Sequence, residues 1–257
     1  MGECVHGGRL STEDDSPIVA YGDGSGGAYS TDWRYRRCGW AWARLKLTDE
    51  RSEDYELAAA KHGPLPGGRQ TSNRAELWAF LSCLESTYGK LVYWTDSEVL
   101  AKGWRAQRFR KAATAGSNGD IWEKIGEEIH SRGGAEGWTE IDICHMNSHL
   151  SAQEAQAKGV PRHAWEGNRI VDKLAEEAAT RHAIPDTEMA CYVWARATAQ
   201  VVRARIAVAT MHSIEDNPKE EREVKEKRKA ERQSGEAAGV RPSKKKRMGQ
   251  LRLIDPW

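Results

Sequence analysis

The stretch Ile18-Val19-Ala20-Tyr21-Gly22-Asp23-Gly24-Ser25 sets the architecture, because an apolar run leads directly into an Asp-Gly pair. Such a run predicts a β-strand that meets a turn and presents the carboxylate of Asp23. Two further segments with strand-like composition follow at residues 37–47 and 55–62, before a Gly- and Pro-rich break at residues 63–68. Three strands this close together predict an antiparallel meander.

The pattern changes to a helical period after this break. Apolar residues at helical spacing start at Leu77, with Ser72 or Asn73 as the N-cap. The later elements are a strand at residues 91–95, helices after Ser97 and from Asp120, a strand at residues 139–146 and a helix at residues 167–182. The order β-β-β-α-β-α-α-β-α predicts an α/β domain whose mixed five-stranded sheet is flanked by helices.

The length of 257 residues is enough for one domain with extensions. We predict a disordered N-terminus at residues 1–16, the α/β domain at 17–184, a C-terminal helix at 185–214 and a charged, basic, largely disordered tail at 215–257. Within this tail, the highly charged residues 218–233 form either a solvated helix or a disordered segment. Residues 215–250 hold 12 Lys and Arg against 8 Asp and Glu. The run Lys244-Lys245-Lys246-Arg247 is typical of a nuclear import signal or of a solvated tail that binds nucleic acid, so we expect a nuclear or cytoplasmic location.

Composition argues against several classes of protein. Because no apolar run approaches the roughly 20 residues of a membrane span, we expect no membrane partner. Residues 1–17 are polar and acidic, unlike a signal peptide. The five cysteines are widely spaced and form no Cys-x-x-Cys pair, which is typical of reduced thiols inside a cell.

Four carboxylates lie in contexts that point to one chemistry. Asp23 belongs to the first strand, Glu76 to the first turn of the first helix, Asp96 to the end of the fourth strand and Asp172 to the first turns of the last helix. Each alone is typical of a cap or a surface residue, but four at element ends favour a shared site. Convergent oxygen ligands bind Mg²⁺, and two ions about 4 Å apart stabilise both the attacking and the leaving oxygen of a phosphodiester. The sequence therefore predicts a metal-dependent nuclease.

Five motifs in this order resemble those of the type 1 ribonuclease H family, particularly the ribonuclease H domains of retroelements. They are Tyr21-Gly22-Asp23-Gly24-Ser25, Thr71-Ser72-Asn73-Arg74-Ala75-Glu76-Leu77, Thr95-Asp96-Ser97, Asn147-Ser148-His149 and Gly167-Asn168-Arg169-Ile170-Val171-Asp172-Lys173-Leu174-Ala175. The resemblance covers residues 17–183 and implies a ribonuclease H-like fold. It also implies endonucleolytic cleavage of the RNA strand of an RNA·DNA hybrid, with 5′-phosphate and 3′-hydroxyl products.

The resemblance also implies the roles of the site residues. Asp23, Glu76, Asp96 and Asp172 would hold two Mg²⁺ ions, with Mn²⁺ as a substitute. His149 matches a mobile histidine that relays protons or helps product release, and His145 in the preceding strand is a competing candidate. The chain departs from the family at residues 151–165, a polar insertion that could form a small helix over the site.

The resemblance further indicates where the hybrid lies. The expected substrate-binding residues are Ser25, Gly26, Arg69, Thr71, Ser72, Asn73, Trp104, Arg105 and Asn118. Arg69, Thr71 and Asn118 would form a pocket for a DNA phosphate. Ser72 and Asn73 would face the minor groove, where hydroxyl and amide groups detect the 2′-OH of RNA. Trp104 and Arg105 open a basic stretch that would neutralise DNA phosphates, and Ser25 and Gly26 would meet the RNA backbone.

Other functions stay open at this point. One is a catalytically silent nucleic-acid-binding or assembly module of a reverse-transcriptase-type element, and another is an exonuclease or integrase of the same superfamily. The presence of all four carboxylates favours an active enzyme, and the Thr-Ser-Asn-Arg-Ala-Glu segment disfavours the exonuclease and the integrase. We expect a monomer that acts with a reverse transcriptase or replication partner, either free-standing or as part of a longer polyprotein.

Overall fold

A computed structural model gives the structure of the chain and describes residues 3–6, 9–12, 16–49, 54–110, 116–216 and 218–237. The chain divides into two units, Met1–Pro185 and Asp186–Trp257. Among the described residues, every strand belongs to the first unit, whereas the second unit consists of helices.

The central sheet of the first unit has the strand order β5-β4-β3-β6-β7. Its strands are β3 (Ile18–Ser25), β4 (Gly39–Asp49), β5 (Asp54–Pro64), β6 (Leu91–Thr95) and β7 (Ile141–His145). β3, β4 and β5 pair in antiparallel fashion, while β6 runs parallel to both β3 and β7. The predicted mixed five-stranded sheet with three antiparallel first strands is therefore confirmed.

Helices cover both faces of this sheet. They are α1 (Ser72–Ser86), α2 (Glu98–Arg105), α3 (Gly119–Gly133), α4 (Ala152–Ala157) and α5 (Arg162–Arg181), with 3₁₀ turns at Arg108–Arg110 and Gly134–Glu140. Because side chains alternate along a strand, Ile18 and Ala20 of β3 join the core beneath α1 and α3, whereas Tyr21 joins the core beneath α5. β3 is thus buried on both faces.

Two helix starts differ from the prediction. The N-cap of α1 is Thr71 rather than Ser72 or Asn73, since its hydroxyl oxygen accepts the backbone N–H of Arg74 at 3.3 Å. α5 starts at Arg162, directly after Pro161, rather than at residue 167. Asp172 consequently lies in the third turn of its helix, beyond the reach of the favourable N-terminal dipole that the shorter helix would have given it.

The N-terminal residues also differ from the prediction. Residues 1–16 were expected to be disordered, but β1 (Glu3–His6) and β2 (Arg9–Thr12) form a separate antiparallel pair. Leu10 packs against the main core, and its carbonyl accepts the backbone N–H of Tyr88 at 2.8 Å. Arg9 forms an ion pair with Glu128 of α3. Long-range contacts of this kind leave no local pattern in a four-residue strand.

The second unit contains α6 (Asp186–Asp216) and α7 (Pro218–Ala237). α6 occupies the segment where a C-terminal helix was expected. α7 covers residues 218–233, for which a solvated helix was one of the two expectations. The basic run at residues 244–247 lies outside the described residues. None of the described helices is both long enough and apolar enough to span a bilayer.

Candidate metal centre and substrate surface

Asp23, Glu76 and Asp96 converge at one edge of the central sheet. Tyr21 of β3 pairs with Trp94 of the parallel strand β6, so Asp23, two residues further along β3, and Asp96, directly after β6, lie at neighbouring positions. Glu76 reaches them from α1, and one carboxylate oxygen from each of the three residues lies within 4.8 Å of the others. A Cβ atom at position 24 would lie 2.4 Å from the backbone nitrogen of Glu76, so Gly24 is what lets α1 approach β3.

Burial and mutual repulsion make these carboxylates hard to ionise. Burial, with the charge of Asp96 adding to it, raises the pKa of Asp23 to about 7. Burial and the charges of Asp23 and Asp96 raise the pKa of Glu76 well above its usual range. Burial also raises the pKa of Asp96, and nearby His149 opposes that shift. Three close acidic groups in a poorly solvated site are stabilised in their ionised forms when a cation lies among them.

The donor set fits a hard divalent cation. Asp23 Oδ1 accepts the backbone N–H of Gly24 at 2.6 Å, whereas the buried Glu76 Oε2 has no hydrogen-bond partner. An unsatisfied carboxylate oxygen inside a protein is costly, and coordination of a cation would satisfy it. Carboxylate oxygens are the ligands that Mg²⁺ and Mn²⁺ prefer. The buried acidic cluster therefore exists, and its residues suit the metal that the sequence predicted.

Asp172 lies on α5, which packs on the other face of the sheet from α1. It is half-buried, and its negative charge helps to raise the pKa of both Asp23 and Asp96. Among the described residues, however, the group whose oxygens lie within 4.8 Å of one another does not include it. A cavity of about 350 Å³ that Asp172 lines also has His149 and Arg169 in its wall. The structure thus places Asp172 next to the trio of carboxylates but less tightly than its members.

The two candidate histidines have different surroundings. His149 lies after β7 in a left-handed conformation, with φ at 52°, and its exposed side chain lines the same cavity as Asp172. His145 is the last residue of β7, and its Nε2 atom lies 3.2 Å from the backbone oxygen of Asp96. His149 therefore has access to a ligand in the cavity, whereas the ring of His145 already contacts the backbone.

The insertion at residues 151–165 holds the His149 loop in place. Ser151 and Glu154 form a capping box at the start of α4. Trp165 at the end of the insertion donates its indole N–H to the backbone oxygen of Leu150 at 2.8 Å. The residue that follows His149 is therefore tied to α5, the helix that carries Asp172. The Ser-x-x-Glu spacing was visible in the sequence, but the Trp165 contact was not.

One of the residues expected to bind a DNA phosphate, Asn118, contacts Arg74, which the sequence prediction did not include. Arg74 of α1 is buried, and it donates to Asn118 Oδ1 at 3.4 Å and to Asp120 Oδ1 at 2.8 Å. Asn118 is also buried and adopts a left-handed conformation, with φ at 65°. Arg69 and Thr71 are exposed just before α1. Arg74 belongs to the Thr71–Leu77 motif, and this membership is the feature of the sequence that could have indicated its role.

The basic stretch that begins at the end of α2 has one side chain, Trp104, that packs on the core. The Trp104 indole packs against Phe80 and Phe109, with ring centroids 5.7 and 4.8 Å apart. It is half-buried and therefore lies at the edge of the core. Arg105 is exposed and Arg110 lies 5.0 Å over the Trp138 ring, so the arginines are the part of this stretch that faces solvent.

The residues expected at the minor groove lie together at the start of α1. Ser72 is half-buried and Asn73 is exposed in the first turn of the helix. A Cβ atom at position 26 would lie 2.9 Å from the hydroxyl oxygen of Ser72, so Gly26 runs directly beside it. Ser25 ends β3 and is half-buried. These four residues form one continuous surface.

The chain is similar to solved ribonuclease H domains at low sequence identity. One is the solution structure of the PFV RNase H domain, with 20% identity over 63% of this chain and 94% of that chain and a TM-score of 0.47. Another is the prototype foamy virus protease-reverse transcriptase, with 22% identity over 65% of this chain and 21% of that chain and a TM-score of 0.46. LC11-RNase H1 in complex with an RNA/DNA hybrid shows 17% identity over 64% of this chain and 97% of that chain, with a TM-score of 0.42. No protein-family model and no curated protein matched the chain.

Proposed function

We propose that the protein is a metal-dependent endonuclease that hydrolyses the RNA strand of RNA·DNA hybrids and leaves 5′-phosphate and 3′-hydroxyl ends. The observation that carries this proposal is the convergence of Asp23, Glu76 and Asp96 within 4.8 Å at the end of two parallel strands. Asp172 of α5, the fourth carboxylate of the sequence motifs, lies next to this trio but outside the group whose oxygens lie within 4.8 Å of one another. The five motifs supply the substrate class, since they resemble those of type 1 ribonucleases H.

Each residue has a distinct task in this proposal. Asp23, Glu76 and Asp96 would hold two divalent cations, and the half-buried Asp172 would complete their ligand set. When bound, Mg²⁺ supplies charge stabilisation at the phosphodiester oxygens. His149 stands in the wall of the adjoining cavity, where an exposed imidazole can exchange protons with the reacting groups and with solvent.

The start of α1 holds the hybrid in this proposal. Ser72 and Asn73 meet the minor groove and detect the 2′-OH that distinguishes RNA from DNA. Backbone N–H groups at a helix N-terminus also favour a phosphate. Arg74 orients the Asn118 side chain by donating a hydrogen bond to its Oδ1 atom, and Arg69 and Thr71 are exposed just before the start of α1. These contacts would position the scissile phosphate over the carboxylates.

A nuclease assay on three duplexes tests the proposal. RNA·DNA, RNA·RNA and DNA·DNA duplexes of one sequence, each labelled at a 5′ end, are incubated with Mg²⁺ or with a chelator. We expect cleavage of the RNA strand of the hybrid with Mg²⁺ only, and end-group analysis should show 5′-phosphates. Hybrid binding without cleavage in Mg²⁺ or Mn²⁺ would contradict the proposal and favour the silent binding module.

A further inference from the structure

The loop that joins β3 to β4 is rich in aromatic and basic side chains. Residues 26–38, here called the Trp33 loop, include Tyr29, Trp33 and Tyr35 together with three arginines. Trp33 is 77% exposed, the highest value among the large apolar side chains that the structure describes as exposed. None of the preceding site assignments involves residues 27–38.

A tight turn presents Trp33 to solvent. The carbonyl of Asp32 accepts the backbone N–H groups of Tyr35 and Arg36, both at 3.0 Å. The carboxylate of Asp32 accepts the backbone N–H of Arg34 at 3.2 Å and forms an ion pair with its guanidinium at 2.6 Å. The turn is thus held on both sides of Trp33, which lowers the entropy that the loop loses when its indole binds a ligand.

The loop is attached to the surface expected to face the minor groove. It leaves β3 at Gly26, which runs beside the Ser72 hydroxyl. It returns through Arg36, whose guanidinium donates to the carbonyl of Ser30 and, at 3.4 Å, to that of Gln70 just before α1. The Trp33 loop is therefore joined to the start of α1 near both of its own ends.

The charge of the loop favours a polyanion. Arg34 is neutralised by Asp32, but the guanidinium groups of Arg36 and Arg37 contact only backbone carbonyls among the described residues. The loop that carries the exposed indole therefore also carries two half-buried arginines without an acidic partner among the described residues. Aromatic side chains that stack on bases, combined with arginines that contact phosphates, are the usual means of binding single-stranded nucleic acid.

We propose that the Trp33 loop binds unpaired RNA nucleotides that adjoin the hybrid, with Trp33 stacking on a base. The inference rests on the proposed function, because the position of the hybrid on α1 sets where its RNA strand leaves. Paired bases inside a duplex offer no free face to an indole, whereas unpaired bases do. The preferred substrate is therefore a hybrid that continues into single-stranded RNA.

Equilibrium binding without divalent ions tests the inference independently of cleavage. Dissociation constants are measured in a chelator for a blunt hybrid and for hybrids that carry a short RNA or DNA extension at either end. The variants are Trp33→Ala, Trp33→Phe, which keeps an aromatic ring, and the control Trp194→Ala, which removes an indole that is 70% exposed on α6. Since Trp33 is exposed, its replacement leaves the core intact.

We expect the intact protein to bind one RNA-extended hybrid at least about fivefold more tightly than the blunt hybrid, as stacking of one base allows. Trp33→Ala should abolish most of this gain, while Trp33→Phe and Trp194→Ala should keep it. Three results would overturn the inference. They are a DNA extension that raises affinity as much as an RNA extension, a Trp33→Ala variant that loses as much affinity for the blunt hybrid as for the extended one, and a Trp33→Ala variant with unchanged affinity for both. Failure of the proposed function would show separately, as a lack of cleavage in Mg²⁺.

Discussion

The two sides of the acidic site are built differently. Asp23, Glu76 and Asp96, the inner trio, are set by a strand, a helix and a strand end that pack on the main core, and Asp23 and Glu76 are buried. Asp172 and His149, the outer pair, come from the middle of α5 and from the loop after β7, and both line an open cavity. The inner side is fixed by the sheet, whereas the outer side depends on how the insertion ties the loop to α5.

This difference indicates a division of tasks. Groups that must hold cations in a constant geometry belong on rigid elements, where packing fixes their rotamers. Groups that release product or exchange protons need access to solvent, which the outer pair has. The inner trio should therefore be intolerant of any change, and the outer pair should tolerate substitution with a graded loss of activity.

The largest effect is expected on the inner side. Asp23→Asn should lower kcat by about a thousandfold or more, because bound metal supplies several kcal/mol of transition-state stabilisation and about 1.4 kcal/mol is tenfold in rate. Hybrid affinity should change little, since the contacts at α1 are intact. Steady-state kinetics and equilibrium binding measure both quantities, and Asp142→Asn, at an exposed position of β7, is the matched control. Full turnover by the Asp23 variant would refute its role as a metal ligand.

An intermediate effect is expected at the outer carboxylate. Asp172→Asn should cost about 10- to 100-fold in activity, the range typical of groups that support a metal site. Because Asp172 lies outside the inner trio, extra Mg²⁺ should restore part of the lost rate. Titration of kcat against Mg²⁺ measures this, and a loss as deep as that of Asp23→Asn with no rescue would show that the two sides do not differ.

A smaller effect is expected at the outer histidine. His149→Ala should slow cleavage by roughly tenfold, less than the full effect of general acid–base catalysis, because water can replace a solvent-exposed imidazole. The ring of His145 contacts the Asp96 backbone, so His145→Ala should leave the pH dependence of kcat unchanged. Rate–pH profiles of both variants distinguish them. If the His149 variant cleaves at an unchanged rate, then His149 is not the proton relay, and either His145 or no histidine has that role.

The smallest effect is expected on stability. The pKa of Asp23 is raised from 3.8 to about 7, so without metal the folded chain binds more protons than the unfolded chain in that window. Stability then falls as the pH rises through it. The Tm measured in a chelator should drop by several degrees more for the intact protein than for Asp23→Asn between pH 5 and pH 8. Mg²⁺ should recover stability at pH 8, and parallel Tm curves for both proteins would argue against the raised pKa.

Several features could be predicted from particular residues. Strong apolar runs such as Ile18–Gly22 and the regular spacing after Leu77 specify strands and helices locally, which is why the sheet was predicted correctly. The start of α5 was placed too late, because Ala164 and its neighbours carry a weaker pattern than the segment after Gly167. The ordered N-terminal strands were missed, because Leu10 and Arg9 are held by distant partners.

For the acidic site, too, local sequence motifs predicted some properties, whereas contacts between distant segments decided the others. The identity of the four carboxylates was readable, since each stands in a local motif beside small or polar residues. The tighter grouping of three of them was not, because the distances depend on how closely α1 approaches β3 at Gly24 and on where along α5 Asp172 falls. The same holds for Trp104, whose basic neighbours predicted a binding surface and whose ring packs against Phe80 and Phe109 at the edge of the core.

The amino-acid sequence by itself determined which elements form, in what order, and which acidic side chains their ends carry, because hydrophobic period and turn chemistry act over a few residues. Only the tertiary structure decided which of those side chains share a buried space, which are left open to the cavity, and that the Trp33 loop lies beside Ser72. Those properties come from contacts between segments far apart in the chain, and their energies depend on distance and burial rather than on neighbouring residues.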